Sequence, residues 1–492
     1  METAVRVAGG TQRLLIRNTL YLSLSQVLAM PLSVFTTAVA AQYLGAEALG
    51  YAYLAFTLCG FGFLAVGWGH DAVLPAVVAR DHSLAGEMLG SSLAYRACVG
   101  VLVYACLAGY CALMGYPSEL QWALGLTATF TLFTYLVAAC KDTIRGLERA
   151  DIPAYAHAGQ QLLAAIIVVA VLTAGGQLRA ALGAQVAAAA LVFIVLWPML
   201  RKIGVGALTV RWQAVKSLFI AGGPFVLVSL ALALQPNIDA YFLAKSAPVE
   251  VMGWYSVSQR LVGALLLPAT TMIGALYPTL CRLYETDRED FTRAANGALR
   301  GVSLLAVPVS LACGLFPQVG VSLFSRESFG PAEDNLRILA FLIYPVYFSM
   351  PLSTCILAAG RQKAWSLVQF GGVLLSLLLD PWLVRYFQER YGNGGMGVCV
   401  AVVITEVFMI SAGIMLAPPG LLDARLRRFI LLTLVAGAAM AGVAYVTHAL
   451  PVLISAAFAF AAYGVVLWLT GGLEGEQFNN LRSALTRKFA RT

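Results

Sequence analysis

About fourteen apolar stretches divide this chain, and they limit its fold more than any other feature. They run near 18–42, 46–69, 88–114, 120–140, 152–174, 180–200, 217–244, 250–276, 296–324, 335–359, 364–387, 396–417, 429–448 and 450–470. A hydrocarbon core of about 30 Å takes roughly 20 helical residues at about 1.5 Å each, so every stretch is long enough to cross a bilayer. The expected fold is an all-α integral membrane protein with about fourteen transmembrane helices and almost nothing outside the membrane.

The connecting loops alternate in positive charge. Arg6, Arg13 and Arg17 precede the first stretch, and every second loop after it is basic: Arg80; Lys141, Arg145 and Arg149; Arg201, Lys202, Arg211 and Lys216; Arg282, Arg288, Arg293 and Arg300; Arg361 and Lys363; Arg425, Arg427 and Arg428; then Arg482, Arg487, Lys488 and Arg491 in the tail. These are 24 of the 32 cations; the intervening loops hold six, Arg179, Lys245, Arg326, Arg337, Arg385 and Arg390. Basic loops stay cytoplasmic, so both termini are expected there. Arg96 and Arg260 are left deep inside apolar stretches, whereas Arg300, Arg337 and Arg385 fall within a few residues of the ends of theirs.

At 60% hydrophobic and 11% charged residues, the net charge of +8 reflects loops facing anionic headgroups and signals no nucleic-acid partner. Nine cysteines without a CxxC read as small hydrophobes, and four scattered histidines make no metal site, so no cofactor or metal is expected. Arg13 and Arg17 with Ala38-Val39-Ala40 imitate a cleavable leader, but the run between them exceeds the usual h-region and contains Pro31, so retention is expected.

The chain repeats itself. Leu49-Gly50-Tyr51-Ala52 is echoed by Met252-Gly253-Trp254-Tyr255, and Leu182-Gly183-Ala184-Gln185-Val186-Ala187 by Met396-Gly397-Val398-Cys399-Val400-Ala401. Offsets of 203 and 214 residues equal one six-helix unit. Six is even, so the repeat is parallel: two six-helix bundles related by a pseudo-twofold along the membrane normal, with substrate between them. The expected divisions are a first bundle at 1–200, a linker loop at 201–216, a second bundle at 217–418, an appended helix pair at 419–472 and an amphipathic basic tail at 473–492. Phe478, Leu481, Leu485 and Phe489 share one face of that tail, which suits a helix lying on the inner leaflet.

An ionisable residue in a membrane helix costs roughly 2.5–3.5 kcal/mol and asks for a reason. Arg96 and Arg260 could each face a central cavity and hold a phosphate through paired charge-assisted bonds; Arg96 could instead snorkel to the interface. Asp239 lies at a depth comparable with Arg260 on the preceding stretch, so an ion pair between them is the competing reading. Glu406, about ten residues from either end of its stretch, could carry a proton or bind sodium, or be a hydrogen-bonded packing group. Asp380, just before Pro381, is expected to stabilise a helix break. His157, Gln160 and Gln161 form one polar stripe and Gln26 with Ser23 another, each suited to sugar hydroxyls or to interhelical bonds. Pro31, Pro224, Pro236, Pro268, Pro308, Pro345 and Pro351 mark expected kinks. No outer loop is long enough to fold as a domain, so no catalytic residue is assigned.

With these residues placed, four segments resemble the polysaccharide flippases of the multidrug/oligosaccharidyl-lipid/polysaccharide exporter superfamily, the O-antigen and exopolysaccharide translocases. They are Tyr43-Leu44-Gly45 with Leu49-Gly50; Lys141-Asp142-Thr143-Ile144-Arg145-Gly146; Asn237-Ile238-Asp239 through Gly253-Trp254-Tyr255 and Arg260-Leu261 to Tyr277-Pro278-Thr279-Leu280; and Gly394-Gly395-Met396-Gly397 leading to Thr405-Glu406. The resemblance implies movement of a polyprenyl-pyrophosphate-linked oligosaccharide from the inner to the outer leaflet, with no covalent chemistry. A bacterial inner (plasma) membrane is the implied location, membrane lipids and polysaccharide polymerase or export machinery are the implied partners, and coupling to a proton or sodium gradient is open. Where the family often has asparagine near the outer end of the eleventh helix, this chain has Asp380.

Three other readings stand beside it. A drug/cation antiporter of the same superfamily predicts an acidic cavity, which Arg96 and Arg260 oppose and Asp239 and Glu406 allow. The lipid II flippase branch also has fourteen helices and cavity arginines. A membrane glycosyltransferase, polymerase or ligase would need a substantial outer loop, which is missing here.

Overall fold

The structure is a computed structural model that describes residues 2–324 and 326–472, with side chains described outside 2–20, 22–23, 227–229, 231–237, 274–275, 278 and 326. The tail expected over 473–492 lies outside the described residues. Among the described residues the regular elements are helices and no strand occurs. In order they are α1 (Glu2–Gly62), α2 (Leu64–Gly67), α3 (His70–Arg80), α4 (Ala85–Leu113), α5 (Ser118–Gly146), α6 (Asp151–Thr173), α7 (Leu178–Lys202), α8 (Trp212–Ser246) and α9 (Val249–Leu265). Then come α10 (Leu267–Thr286), α11 (Arg288–Leu315), α12 (Pro317–Val321), α13 (Arg326–Phe329), α14 (Ala332–Ala358), α15 (Gln362–Tyr391), α16 (Gly394–Leu416), α17 (Ala424–Val446) and α18 (Val452–Leu469). Eleven spans among the described residues are long and apolar enough to cross a membrane, and the first, Leu24–Arg80, takes in most of the first stretch of the sequence and all of the second. The seventh and eighth stretches fall on α8 and on α9 with α10.

Three breaks decide how the first, second and eighth stretches run. The first two stretches are joined by a single non-helical residue, Gly45, at φ 78° and ψ −177°; glycine reaches that conformation without steric cost. The second stretch breaks at Trp68 (φ 38°) and Gly69 (φ 67°), then continues as α3. A left-handed tryptophan is uncommon and needs support. It is supported here by a bond from its indole Nε1 to the carbonyl of Phe219 at 2.9 Å and by stacking on the Phe219 ring at 4.5 Å. The eighth stretch divides at Leu266, with Pro268 in the first turn of α10, where a missing N–H costs nothing. Beyond α3, Asp81 accepts bonds from the hydroxyl and amide of Ser83 at 2.6 and 2.9 Å, which hold its carboxyl below the usual carboxylate range.

Contacts divide the chain into two units that interleave in sequence. The first takes residues 1–264, 323–332 and 373–401; the second takes 265–322, 333–372 and the remainder from 402. Bonds inside the first unit explain why late segments return to it: Trp254 Nε1 donates to the Ser328 carbonyl at 2.9 Å, Ser258 Oγ to the Ala332 carbonyl at 3.1 Å, and Asn393 Nδ2 to the Pro331 carbonyl at 3.1 Å. Its core gathers Leu74, Val78, Leu89, Val137, Ile144 and Leu196. The second unit packs Leu280, Leu299, Leu352, Ile356 and Leu426 together, and separately Val307 with Ala436, Met440 and Tyr463.

One contact in the first unit is reciprocal. A Cβ on Gly50 would lie 2.0 Å from the carbonyl oxygen of Val249, and a Cβ on Gly253 would lie 2.1 Å from that of Ala46. The two contacts interchange under the 203-residue offset, since 46 becomes 249 and 50 becomes 253. Self-complementary pairing of this kind is what a local two-fold axis between repeats produces. The echoed glycines are therefore spacing residues: they let α1 and α9 meet backbone to backbone.

Candidate functional site

A cavity of about 370 Å³ opens inside the first unit, walled by α1, α6, α7 and α9. Helical spacing puts Ser256, Gln259, Arg260 and Gly263 on one face of α9, and that face lines it. Thr36, Thr37, Tyr53 and Gln185 complete its polar lining; Met30, Leu44, Leu49, Phe56, Val168 and Leu178 are among its apolar walls. Arg260 is exposed, and what it is exposed to is this cavity. Its Nη1 donates to Ser33 Oγ at 2.6 Å, and the Tyr53 hydroxyl donates to Gln259 Oε1 at 3.2 Å. Among the described residues no carboxylate lines the space, so its one formal charge is positive.

The ion pair considered between Arg260 and Asp239 does not form. Asp239 on α8 turns instead to α15, where Ser376 Oγ lies 2.7 Å from Asp239 Oδ1 and 2.9 Å from Asp380 Oδ2. All three residues are buried, and the two carboxyls also face each other. A serine hydroxyl carries one hydrogen and so can donate to only one of the two carboxyls. The remaining contacts need a further proton, or a cation between the oxygens. Asp380 also does not mark a helix break: α15 runs unbroken through Pro381. A membrane helix tolerates the lost bond where neighbours satisfy the freed carbonyl, so the aspartate is left to face Ser376 one turn back.

Arg96 lies elsewhere. It is 1% exposed, and its Nη1 donates to the Tyr135 carbonyl at 2.5 Å. Its Nη2 sits 3.7 Å from Asp142, which Arg145 also approaches at 3.4 Å. Neither a cavity role nor snorkelling describes it; it is a buried ion-paired residue between α4 and α5. Removing one member of such a pair typically costs about 3–5 kcal/mol, whereas replacing both by apolar groups is often nearly neutral. Asp142→Leu is therefore expected to destabilise the protein by roughly that amount, and Arg96→Met/Asp142→Leu by much less. Thermal unfolding in detergent micelles checks this; equal losses in both variants would mean that packing, not the stranded charge, sets the cost.

The other expected residues are also apart from the cavity. His157, Gln160 and Gln161 sit on α6 and Gln26 on α1, outside its lining, with Gln160 buried and Gln26 exposed. Glu406 is buried in the second unit, where Ser349 of α14 donates to its Oε1. Tyr53, Gln185, Ser256, Gln259 and Ser376 join these sites without having been anticipated from sequence. The spacing 256, 259, 260, 263 is a readable signal for part of the cavity wall, and 376 to 380 for the serine. Arg300, assigned to a loop, lies inside α11.

The profile of the polysaccharide biosynthesis protein family matches residues 15–284, more than half of the chain. The chain belongs to this family. The family match runs from within α1 to the last turn of α10, and takes in every residue named as lining the cavity. No curated protein sequence matches. Among solved structures, the lipid II flippase MurJ in an inward closed conformation is similar at TM-score 0.73 and 13% identity, covering 91% of this chain and 98% of MurJ. A multidrug resistance MATE family transporter of the MOP superfamily is similar in its inward-facing form at TM-score 0.65 and 17% identity, over 84% of this chain and 97% of that one. Its outward-facing form gives TM-score 0.54 at the same identity, over 84% and 95%. These likenesses establish the fold, an all-helical membrane fold shared with transporters of that superfamily.

Proposed function

We propose that this member of the polysaccharide biosynthesis protein family flips a polyprenyl-pyrophosphate-linked oligosaccharide from the inner to the outer leaflet by alternating access, for O-antigen, exopolysaccharide or capsule assembly. The observation that carries the reading is the cavity: one arginine, no carboxylate among the described lining residues, and amides and hydroxyls set among apolar walls. A guanidinium presents parallel donors that match a phosphate. Amide and hydroxyl groups of Gln185, Gln259, Tyr53 and Ser256 suit sugar hydroxyls. A cationic drug would meet Arg260 as a like charge, which argues against a drug antiporter.

In this reading the basic loops and both termini face the cytoplasm, the helices cross the plasma membrane fourteen times, and the polyprenyl tail stays in lipid. Asp239, Ser376 and Asp380 supply the coupling: the proton or sodium ion that completes their hydrogen bonding differs between the two access states. Glu406 is a second candidate for the same role.

Deletion of the protein tests the function. A complete lipid-linked oligosaccharide is expected to accumulate on the inner leaflet, its mass naming the cargo. Accumulation of lipid II would move the protein to the MurJ activity, and unchanged lipids with new sensitivity to cationic dyes to drug export. Collapsing the proton gradient or removing sodium in the complemented strain tests the coupling, and export indifferent to both would exclude it.

A further inference from the structure

We propose that a second pocket beside the cavity is a sugar subsite, holding a further, uncharged sugar residue of the cargo while Arg260 holds the pyrophosphate. For its cargo the proposal rests on the flippase reading; for its place it rests on the pocket. That pocket, of about 380 Å³, is lined by Tyr43, Glu47, Tyr51, Glu119, Gln177 and Arg179. It lies wholly in the first unit, and Leu44 and Leu178 line both it and the cavity, so the two spaces adjoin. Three helix junctions bring its groups together, all on the side that the loop charges place outward. The break at Gly45 is followed by Glu47 and Tyr51, one turn apart on one face of α1. The first turn of α5 supplies Glu119, and that of α7 supplies Arg179. Gln177 is the N-cap of α7, yet its amide makes no capping bond.

Charge and shape identify the ligand. Arg179 is already engaged: its Nη2 donates to Glu119 Oε1 at 2.8 Å, and its guanidinium lies 5.2 Å from the ring centroid of Trp122. Glu47 meets the Tyr51 hydroxyl, and no cation pairs with it among the described residues. The lining therefore carries a net negative charge, opposite in sign to the cavity beside it. An ionised carboxylate only accepts hydrogen bonds, so the ligand must donate them. A phosphate or an acidic sugar would meet Glu47 as a like charge. Tyr43 is 55% exposed, which leaves its ring open to apolar contact. A neutral pyranose answers all three demands, since its hydroxyls donate, its C–H face is apolar and it carries no charge. Aromatic and apolar walls with a few placed polar groups are the usual make-up of a small-ligand site of this volume. Tyrosines also gather at the membrane interface, but that role needs neither the carboxyl of Glu47 nor the adjoining cavity.

Saturation-transfer NMR of the purified protein, in micelles of a detergent without a sugar headgroup, tests the subsite. The probes are free glucose, galactose, N-acetylglucosamine and rhamnose, with glucuronate and tetramethylammonium as charged comparisons. At least one neutral sugar at millimolar concentration is expected to show saturation of its ring C–H protons, and glucuronate none. Glu47→Gln is expected to lower that signal about five- to tenfold, because hydrogen bonds to a charged group are stronger than neutral ones. Tyr43→Ala is expected to lower it as well, by removing the ring. Both side chains are exposed, so neither change disturbs packing, and the unfolding temperature checks this. Silence from every neutral sugar, an equal signal from glucuronate, or a signal from tetramethylammonium alone overturns the proposal. So does a sugar signal unchanged in both variants, which would place the sugar elsewhere. Sugar binding in a protein whose deletion leaves lipid-linked oligosaccharides unchanged would overturn the flippase reading and leave a sugar site. Accumulation of the lipid-linked unit on deletion, with no sugar binding, would overturn the subsite alone.

Discussion

Arg260→Ala is expected to lower translocation of the lipid-linked oligosaccharide at least about 30-fold while leaving the fold intact. Truncating one side of a buried charge-assisted pair costs about 2–5 kcal/mol, and each 1.4 kcal/mol is about a factor of ten. No other cation lines the cavity among the described residues, so no neighbour can substitute for it. The stability expectation follows from the partner. Arg260 bonds to the neutral Ser33 hydroxyl, and its removal strands no opposite charge. Arg260→Lys keeps the charge but loses the planar fork, and is expected to fall between the two. Polymer export in complemented cells, read beside the unfolding temperature of the purified variants, makes the check. Export by Arg260→Ala at the wild-type rate would remove the arginine from the mechanism.

Arg260 and Arg96 show what sequence could and could not decide. Both are arginines in apolar stretches at similar depth, and the same physical reasoning applied to each. What separates them is the neighbouring helix. Arg96 meets Asp142 on α5, whereas α9 turns Arg260 into open space. Depth along a helix is legible in sequence, but rotation about its axis relative to a neighbour is not. The Asp239 reading fails for the same reason: sequence offers the consecutive antiparallel stretch as the partner, and the carboxyl faces α15 instead, 137 residues away in sequence. The helices were legible because length and hydropathy set them. Their ends were less so where one residue intervened, as at Gly45, or where a break was held from outside, as Phe219 holds Trp68.

The repeated glycines were legible as an echo, and their geometry gives the second large prediction. Gly50→Ala or Gly253→Ala puts a methyl group against a backbone carbonyl oxygen, at 2.0 and 2.1 Å respectively. Backbone cannot yield as a flexible side chain does, so α1 and α9 must part. Overpacking of this kind costs typically about 1–3 kcal/mol, enough to shift a two-state equilibrium roughly 5- to 150-fold. If this contact closes one end of the transport path, each variant moves the protein toward the form open at that end, and transport falls because the closed form is lost. With that end outward, as the loop charges place it, a cysteine at Ser256, in a background freed of native cysteines, is then expected to react at least about fivefold faster with an impermeant thiol reagent added from outside. The two single variants should behave alike, because the repeat makes their contacts equivalent. The double variant should cost less than their sum, since one separation of the helices relieves both clashes. Unchanged labelling with lowered stability would mean the contact is a fixed part of the fold, and additive costs would mean the two clashes are relieved by separate movements.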